Sequence, residues 1–131
     1  MKLRPWSTRM ARSGRGDWPV ATLIFYGPDD RRATRMVASI ITYDGAEPLL
    51  RTWFADRVDA RVDNAIGNEV GAFLRRHAPP RIVVMNSIFG CPHEEGIDYP
   101  DGEVCPRCPF WATHDRFENV TAVEYRPKPR G

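Results

Sequence analysis

The first apolar positions come in two nearly unbroken runs, Val20–Tyr26 (VATLIFY) and Thr34–Tyr43 (TRMVASIITY). Both are rich in β-branched and aromatic residues, which fit a pleated, half-buried surface. Pro19 and Gly27-Pro28 bound the first run, and Asp44-Gly45 stops the second. The segment between them, Gly27–Ala33 (GPDDRRA), has turn chemistry. The pattern predicts an antiparallel hairpin with a loop of about seven residues. Apolar residues at consecutive positions predict that both faces of the pair are partly covered. Ala46–Phe54 (AEPLLRTWF) breaks the pattern and reads as a connector with room for a short helical turn.

From Asp56 the period changes. Val58, Val62, Ile66, Val70, Phe73 and Leu74 recur at spacings of three and four, the mark of one apolar helix stripe. Asp56 is placed to cap this helix and Asp59 to complement its dipole. Arg75, Arg76 and His77 fall in the last turn, and Pro79-Pro80 ends it. Gly67 and Gly71, one turn apart, each cost about 1 kcal/mol of helix propensity against Ala. They are either tolerated or a place where the helix nears a sheet. Arg81–Met85 (RIVVM) predicts a short central strand, and a right-handed unit results if it runs parallel to an earlier one. Residues 87–114 form a long Pro-, Gly-, Cys- and acid-rich loop that needs an organiser. Asn119–Tyr125 (NVTAVEY) is a further strand candidate.

The expected fold is therefore α+β. One domain, residues 18–125, carries a small mixed sheet of the hairpin and one or two further strands. One long helix packs on it, and a metal closes the loop. Residues 1–17 form a basic arm and 126–131 a basic tail. At 131 residues the chain is long enough for a core without a metal, so an ion adds to folding rather than creating it.

Charge refines this picture. Of 19 basic residues only Lys2 and Lys128 are lysines, which fits phosphate recognition or the codon bias of a GC-rich genome. The net charge of +2 is uneven: the two ends hold eight bases and no acid, and residues 17–125 carry a net −6. A nucleic-acid partner would be met by these tails. No stretch of about 18 apolar residues predicts a membrane span. No secretory leader is visible, so the expected location is the cytoplasm. The sequon Asn119-Val120-Thr121 then carries no meaning.

The candidate chemistry lies in one place. All three cysteines fall between Cys91 and Cys108, together with His93. The pattern is C-x-H, eleven residues, then C-x-x-C. Alternation in an extended segment points Cys91 and His93 the same way. Cys105-Pro106-Arg107-Cys108 is a knuckle whose tight turn directs two sulfurs at one ion. A Cys3His set suits structural zinc and not magnesium or calcium. The competing readings are clustered free thiols, a disulfide with one thiol over, an iron site, or a redox-active zinc thiolate. His114 competes with His93 for the fourth position. Phe110 and Trp111 are expected to pack behind the knuckle.

Five acids, Glu94, Glu95, Asp98, Asp101 and Glu103, surround these donors. They read as a solvated loop or as a general base beside the metal. His93-Glu94-Glu95 and Cys105–Cys108 look like the H-x-E and P-C-x-x-C motifs of zinc deaminases. Eleven residues cannot supply the helix and strand that family needs between them, and Val104 stands where its proline would be. A hydrolase with Glu94 or Glu95 as base requires an open metal position, and three thiolates leave zinc a poor Lewis acid. Ser87 has no triad context.

The run Gly90-Cys91-Pro92-His93-Glu94-Glu95-Gly96, continuing to Cys105-Pro106-Arg107-Cys108-Pro109-Phe110-Trp111, resembles a small uncharacterised bacterial protein family. Trp18–Arg35 belongs to the same pattern. The resemblance implies a bacterial origin and brings no activity or catalytic residue with it. The functional expectation is a zinc-stabilised binding module for a protein or nucleic acid. A zinc hydrolase and a thiol redox sensor are its rivals.

Overall fold

A computed structural model describes residues 18–117 and 120–127. The basic arm at 1–17 and the last part of the tail, 128–131, lie outside the described residues, as does Asn119 of the sequon. The fold is a five-stranded mixed sheet with one helix on it. Its strands are β1 (Val20–Tyr26), β2 (Arg35–Ile41), β3 (Leu49–Phe54), β4 (Arg81–Ile88) and β5 (Ala122–Tyr125). The helix α1 spans Asn64–His77, and a single turn, α2, spans Phe110–Thr113. The strand order is β3-β2-β1-β4-β5. Only the β1–β4 pair is parallel.

The predicted hairpin is the centre of this sheet. Every residue of β1 and β2 is buried, as unbroken apolar runs require. One face carries Ala21, Leu23, Phe25, Met36, Ala38, Ile40 and Trp53, and α1 covers it with Ile66, Val70 and Phe73. The other carries Ile24, Tyr26, Val37, Met85 and Phe89, with Val20, Ile41 and Val83 beside them. Trp18, Ala46 and Val120 pack against this second face. Among the described residues no helix is long and apolar enough to cross a membrane.

Three expectations are corrected. The connector Ala46–Phe54 contains a strand: β3 pairs antiparallel with β2 from Ile40↔Leu49 to Arg35↔Phe54. It is an edge strand with only Trp53 buried, so β2 supplies its order through hydrogen bonds and not through burial. The helix has 14 residues and starts at Asn64, six positions after its apolar stripe begins at Val58. Val58 and Val62 are exposed, and the cap is Asp63, whose carboxylate accepts from Ile66 N at 3.0 Å. The expected C-terminal features hold: Arg75, Arg76 and His77 fill the last turn, and Ala78 closes it in the left-handed region. Gly67 faces open space and Gly71 meets only the Arg75 side chain, so both are tolerated rather than required by the sheet.

The residues before α1 lace two loops together. Ala60 N donates to Ala33 O at 2.8 Å, Ala55 N to Thr34 O at 2.9 Å, and Arg32 to the carbonyl of Asp56. Asp59 accepts from Ala33 N at 3.1 Å and from the Arg61 guanidinium at 2.6 and 2.9 Å. The Arg61 hydrogen bonds hold the Asp59 carboxyl down at about 2, well below its ordinary value. A depressed carboxyl stabilises the fold above the unfolded value, near 4, and that contribution is lost as pH falls towards 2. Asp59→Asn is therefore expected to lower Tm at pH 6 and to narrow its gap from the parent chain as pH drops from about 4 to 2. Thermal melts across that range check it, and a gap independent of pH counts against the pairing.

Candidate metal centre

β4 delivers the loop to its place. Phe89 N donates to Phe25 O at 2.7 Å and Gly27 N to Gly90 O at 2.9 Å, so the chain leaves the sheet bonded to the end of β1. Gly90 turns it there with φ 126°, a conformation that L side chains rarely adopt. Gly27 must be glycine for a different reason: a Cβ would lie 1.9 Å from the Arg32 carbonyl oxygen. Cys91 and His93 follow Gly90 directly. Cys105 and Cys108 come from the knuckle, closed by Cys108 N on Cys105 O at 3.3 Å.

The donor atoms of Cys91, His93, Cys105 and Cys108 all lie within 4.8 Å of one another. His93 Nδ1 is 3.3 Å from Cys91 Sγ, 3.4 Å from Cys105 Sγ and 3.4 Å from Cys108 Sγ. Three sulfurs nearly equidistant from one nitrogen define a tetrahedron. With metal–sulfur bonds of about 2.3 Å and metal–nitrogen bonds of about 2.0 Å, its S···N edges would be about 3.5 Å. The set could hold a four-coordinate ion after a shift of a few tenths of an ångström. All three cysteines are free, which sets aside a disulfide. His114 is elsewhere: its Nδ1 lies 2.9 Å from the Phe110 carbonyl and its ring stacks on Phe110 at 3.8 Å. His93 is the histidine of the cluster.

Burial pushes the Cys91 thiol far up, and the Cys105 and Cys108 sulfurs push it further against a lowering by the His93 N–H. Burial also raises Cys108, partly offset by the Cys91 side chain and by the charge of Arg107. Thiols of this kind hold their protons until a metal displaces them. A divalent ion with three thiolates and one neutral imidazole carries a net charge of −1.

The loop also rests on a buried cation that the sequence pattern did not reveal. Tyr26, Arg35 and Phe54 are cross-strand neighbours on β1, β2 and β3. Arg35 is 8% exposed, with its guanidinium 5.9 Å from the Tyr26 ring centre and 5.5 Å from that of Phe54. Arg35 Nη1 donates at 2.6 Å to the carbonyl of Pro92, the residue between two of the donors. Arg35 Nε is buried without a hydrogen-bond partner. Arg35→Met keeps the packing and removes the charge and its hydrogen bond, worth about 1.5–3 kcal/mol. The expected result is metal release to a competing chelator about tenfold faster or more, with the sheet intact. An unchanged release rate would show that Arg35 only fills space.

The other side of the loop is fastened by Trp111, whose Nε1 donates to Gly27 O at 2.8 Å and whose ring packs on the helix-side core. Phe110 and Trp111 are both half-buried; Trp111 packs on the helix-side core and Phe110 stacks on His114. The acids also have structural roles. Glu95 accepts from Gly102 N at 2.9 Å, and Asp98 accepts from Glu94 N at 2.6 Å. These bonds brace the turns of residues 94–103. A cleft of about 330 Å³ opens over His93, lined by Tyr26, Glu94, Glu95, Tyr99 and Arg116 among others. Ser87 Oγ is buried and has no hydrogen-bond partner among the described residues.

No family model, curated protein or solved structure matches the chain, and the geometry of these four donors is what speaks for a role: the protein carries a Cys3His cluster within metal-binding distance, built on an α+β sheet.

Proposed function

We propose that this is a non-enzymatic interaction module in which one structural zinc ion, held by Cys91, His93, Cys105 and Cys108, fixes the shape of a recognition loop for a protein or nucleic-acid partner. The observation that carries the reading is the closed donor set, three sulfurs at 3.3–3.4 Å from a single imidazole nitrogen. Soft sulfur donors with one imidazole favour zinc over hard cations. Four protein donors leave no position for a substrate or a water. Glu95 of the hydrolase alternative serves the loop's own backbone, and three thiolates would quench the Lewis acidity that hydrolysis needs. The loop presents Ile97 and Val104 to solvent among the acids, a surface suited to contact. The basic ends are the part of the chain suited to phosphates.

Hydrogen exchange on the full chain, with zinc bound and after chelation, tests the proposal. Removing zinc is expected to strip protection from residues 89–114 and to leave β1, β2 and β4 protected. In parallel, anisotropy with a fluorescent DNA duplex at about 50 and 200 mM salt reads the nucleic-acid option. Binding that falls with salt and vanishes on trimming residues 1–16 and 126–131 assigns it to the ends. Exchange that is identical with and without zinc would sink the proposal.

A further inference from the structure

β3 is an edge strand, and among the described residues no strand pairs with its outer side. Edges of this kind are normally blunted by charge, proline or cover, because they offer unpaired main-chain groups to any passing strand. Here Pro48 stands just before the strand, not within it. Its only charge, Arg51, lies back over the Trp53 and Phe73 rings at 5.3 and 6.0 Å and points towards Glu69. What remains along the edge is apolar: Leu49 is 48% exposed, Leu50 44% and Phe54 69%.

The hydrogen-bond phase of this edge is fixed. Ala55 N donates to Thr34 O, so that pair is a bonded one. Bonded and non-bonded pairs alternate in an antiparallel ladder. The β2-facing groups are therefore those of Leu49, Arg51 and Trp53, and the outward N–H and C=O groups belong to Leu50, Thr52 and Phe54. The side chains of these three residues share the face opposite Trp53, which faces α1.

We infer that this edge pairs with a second copy of itself, the two β3 strands running antiparallel about a two-fold axis at Thr52. That register sets Thr52 opposite the partner's Thr52 and Leu50 opposite the partner's Phe54, each pair joined through its outward N–H and C=O groups. On the other face Arg51 comes level with the partner's Trp53. Apolar residues meet apolar residues, hydroxyl meets hydroxyl, and a cation meets a ring; no like charges are opposed. An isologous contact needs this self-complementarity. A single six-residue edge buries little area, so the association is weak, with Kd in the micromolar range or above. The pairing is independent of the metal reading.

Sedimentation equilibrium of the full chain tests it. The weight-average mass is expected to climb from near 15.0 kDa towards twice that value as protein rises from about 1 to 300 μM. Thr52→Lys opposes two ammonium groups at the axis, and Thr52→Pro removes the central donor without touching a β2 hydrogen bond. Each is expected to weaken dimerisation at least about tenfold with circular dichroism and metal content unchanged; Thr52→Val keeps the ladder and is expected to keep the dimer. If Thr52→Pro perturbs the fold, Thr52→Lys alone decides. A chain that stays monomeric throughout, including one whose edge takes another protein's strand instead, overturns the inference. So does a dimer that both substitutions leave unchanged.

Discussion

On the proposed zinc reading, Cys108→Ser is expected to take the metal content from about one equivalent of zinc per chain to a small fraction of one, read by elemental analysis of protein purified without added metal. Cys108 is 1% exposed, so no solvent-side donor can replace it and the serine hydroxyl is a poor ligand for this ion. The other two sulfurs and His93 would remain, but a three-donor site binds far more weakly. The consequence for stability follows by mass action. With free zinc about a thousandfold above Kd, a bound ion contributes about 4.1 kcal/mol. For a domain of this size the loss lowers Tm by on the order of 10–20 °C. The sheet is expected to survive, because the cores on both faces draw none of their members from the four donors. Far-ultraviolet circular dichroism should change little while Tm falls. A variant that keeps a full equivalent of zinc with unchanged affinity would remove Cys108 from the site.

Whether a feature was legible in the sequence depended on whether its cause is local. The hairpin is local: burial of both faces leaves no polar alternation, and Val20–Tyr26 and Arg35–Ile41 say so. The donor set is local too, since C-x-H and C-x-x-C sit within 18 residues. What failed depended on neighbours. β3 looks like a connector because its order comes from β2 rather than from its own apolar content. Val58 and Val62 lie on the helical period but face solvent, because residues 55–62 are held by β-loop hydrogen bonds that a period cannot show. The expected fourth donor, His93, does join the cluster, while its rival His114 stacks on Phe110. Arg35 is the sharpest case. In the sequence it is one of 17 arginines at a strand boundary; in the fold it lies buried and bonded to Pro92, 57 positions away.

Phe89→Ala is the complementary lesion, and its expected cost is about 3–5 kcal/mol. Phe89 is fully buried, packs edge-on against Tyr26 at 6.4 Å and Phe117 at 5.3 Å, and joins Ile24, Val37 and Met85 in one cluster. Truncating it opens a cavity beneath the root of the metal loop, two residues before Cys91. A loss of that size is a large share of the roughly 5–15 kcal/mol that holds a domain folded. The main-chain bond from Phe89 N to Phe25 O needs no side chain, so the loop's exit direction is kept. Zinc stoichiometry is therefore expected to stay at one equivalent while the urea midpoint drops. Cys108→Ser gives the opposite pattern, with the ion lost and the sheet retained. Phe89→Leu, which refills most of the volume, should recover more than half of the lost stability. If Phe89→Ala released the metal as readily as Cys108→Ser does, the loop and the sheet would be one cooperative unit. The division into a self-sufficient sheet and a metal-held loop would then be wrong.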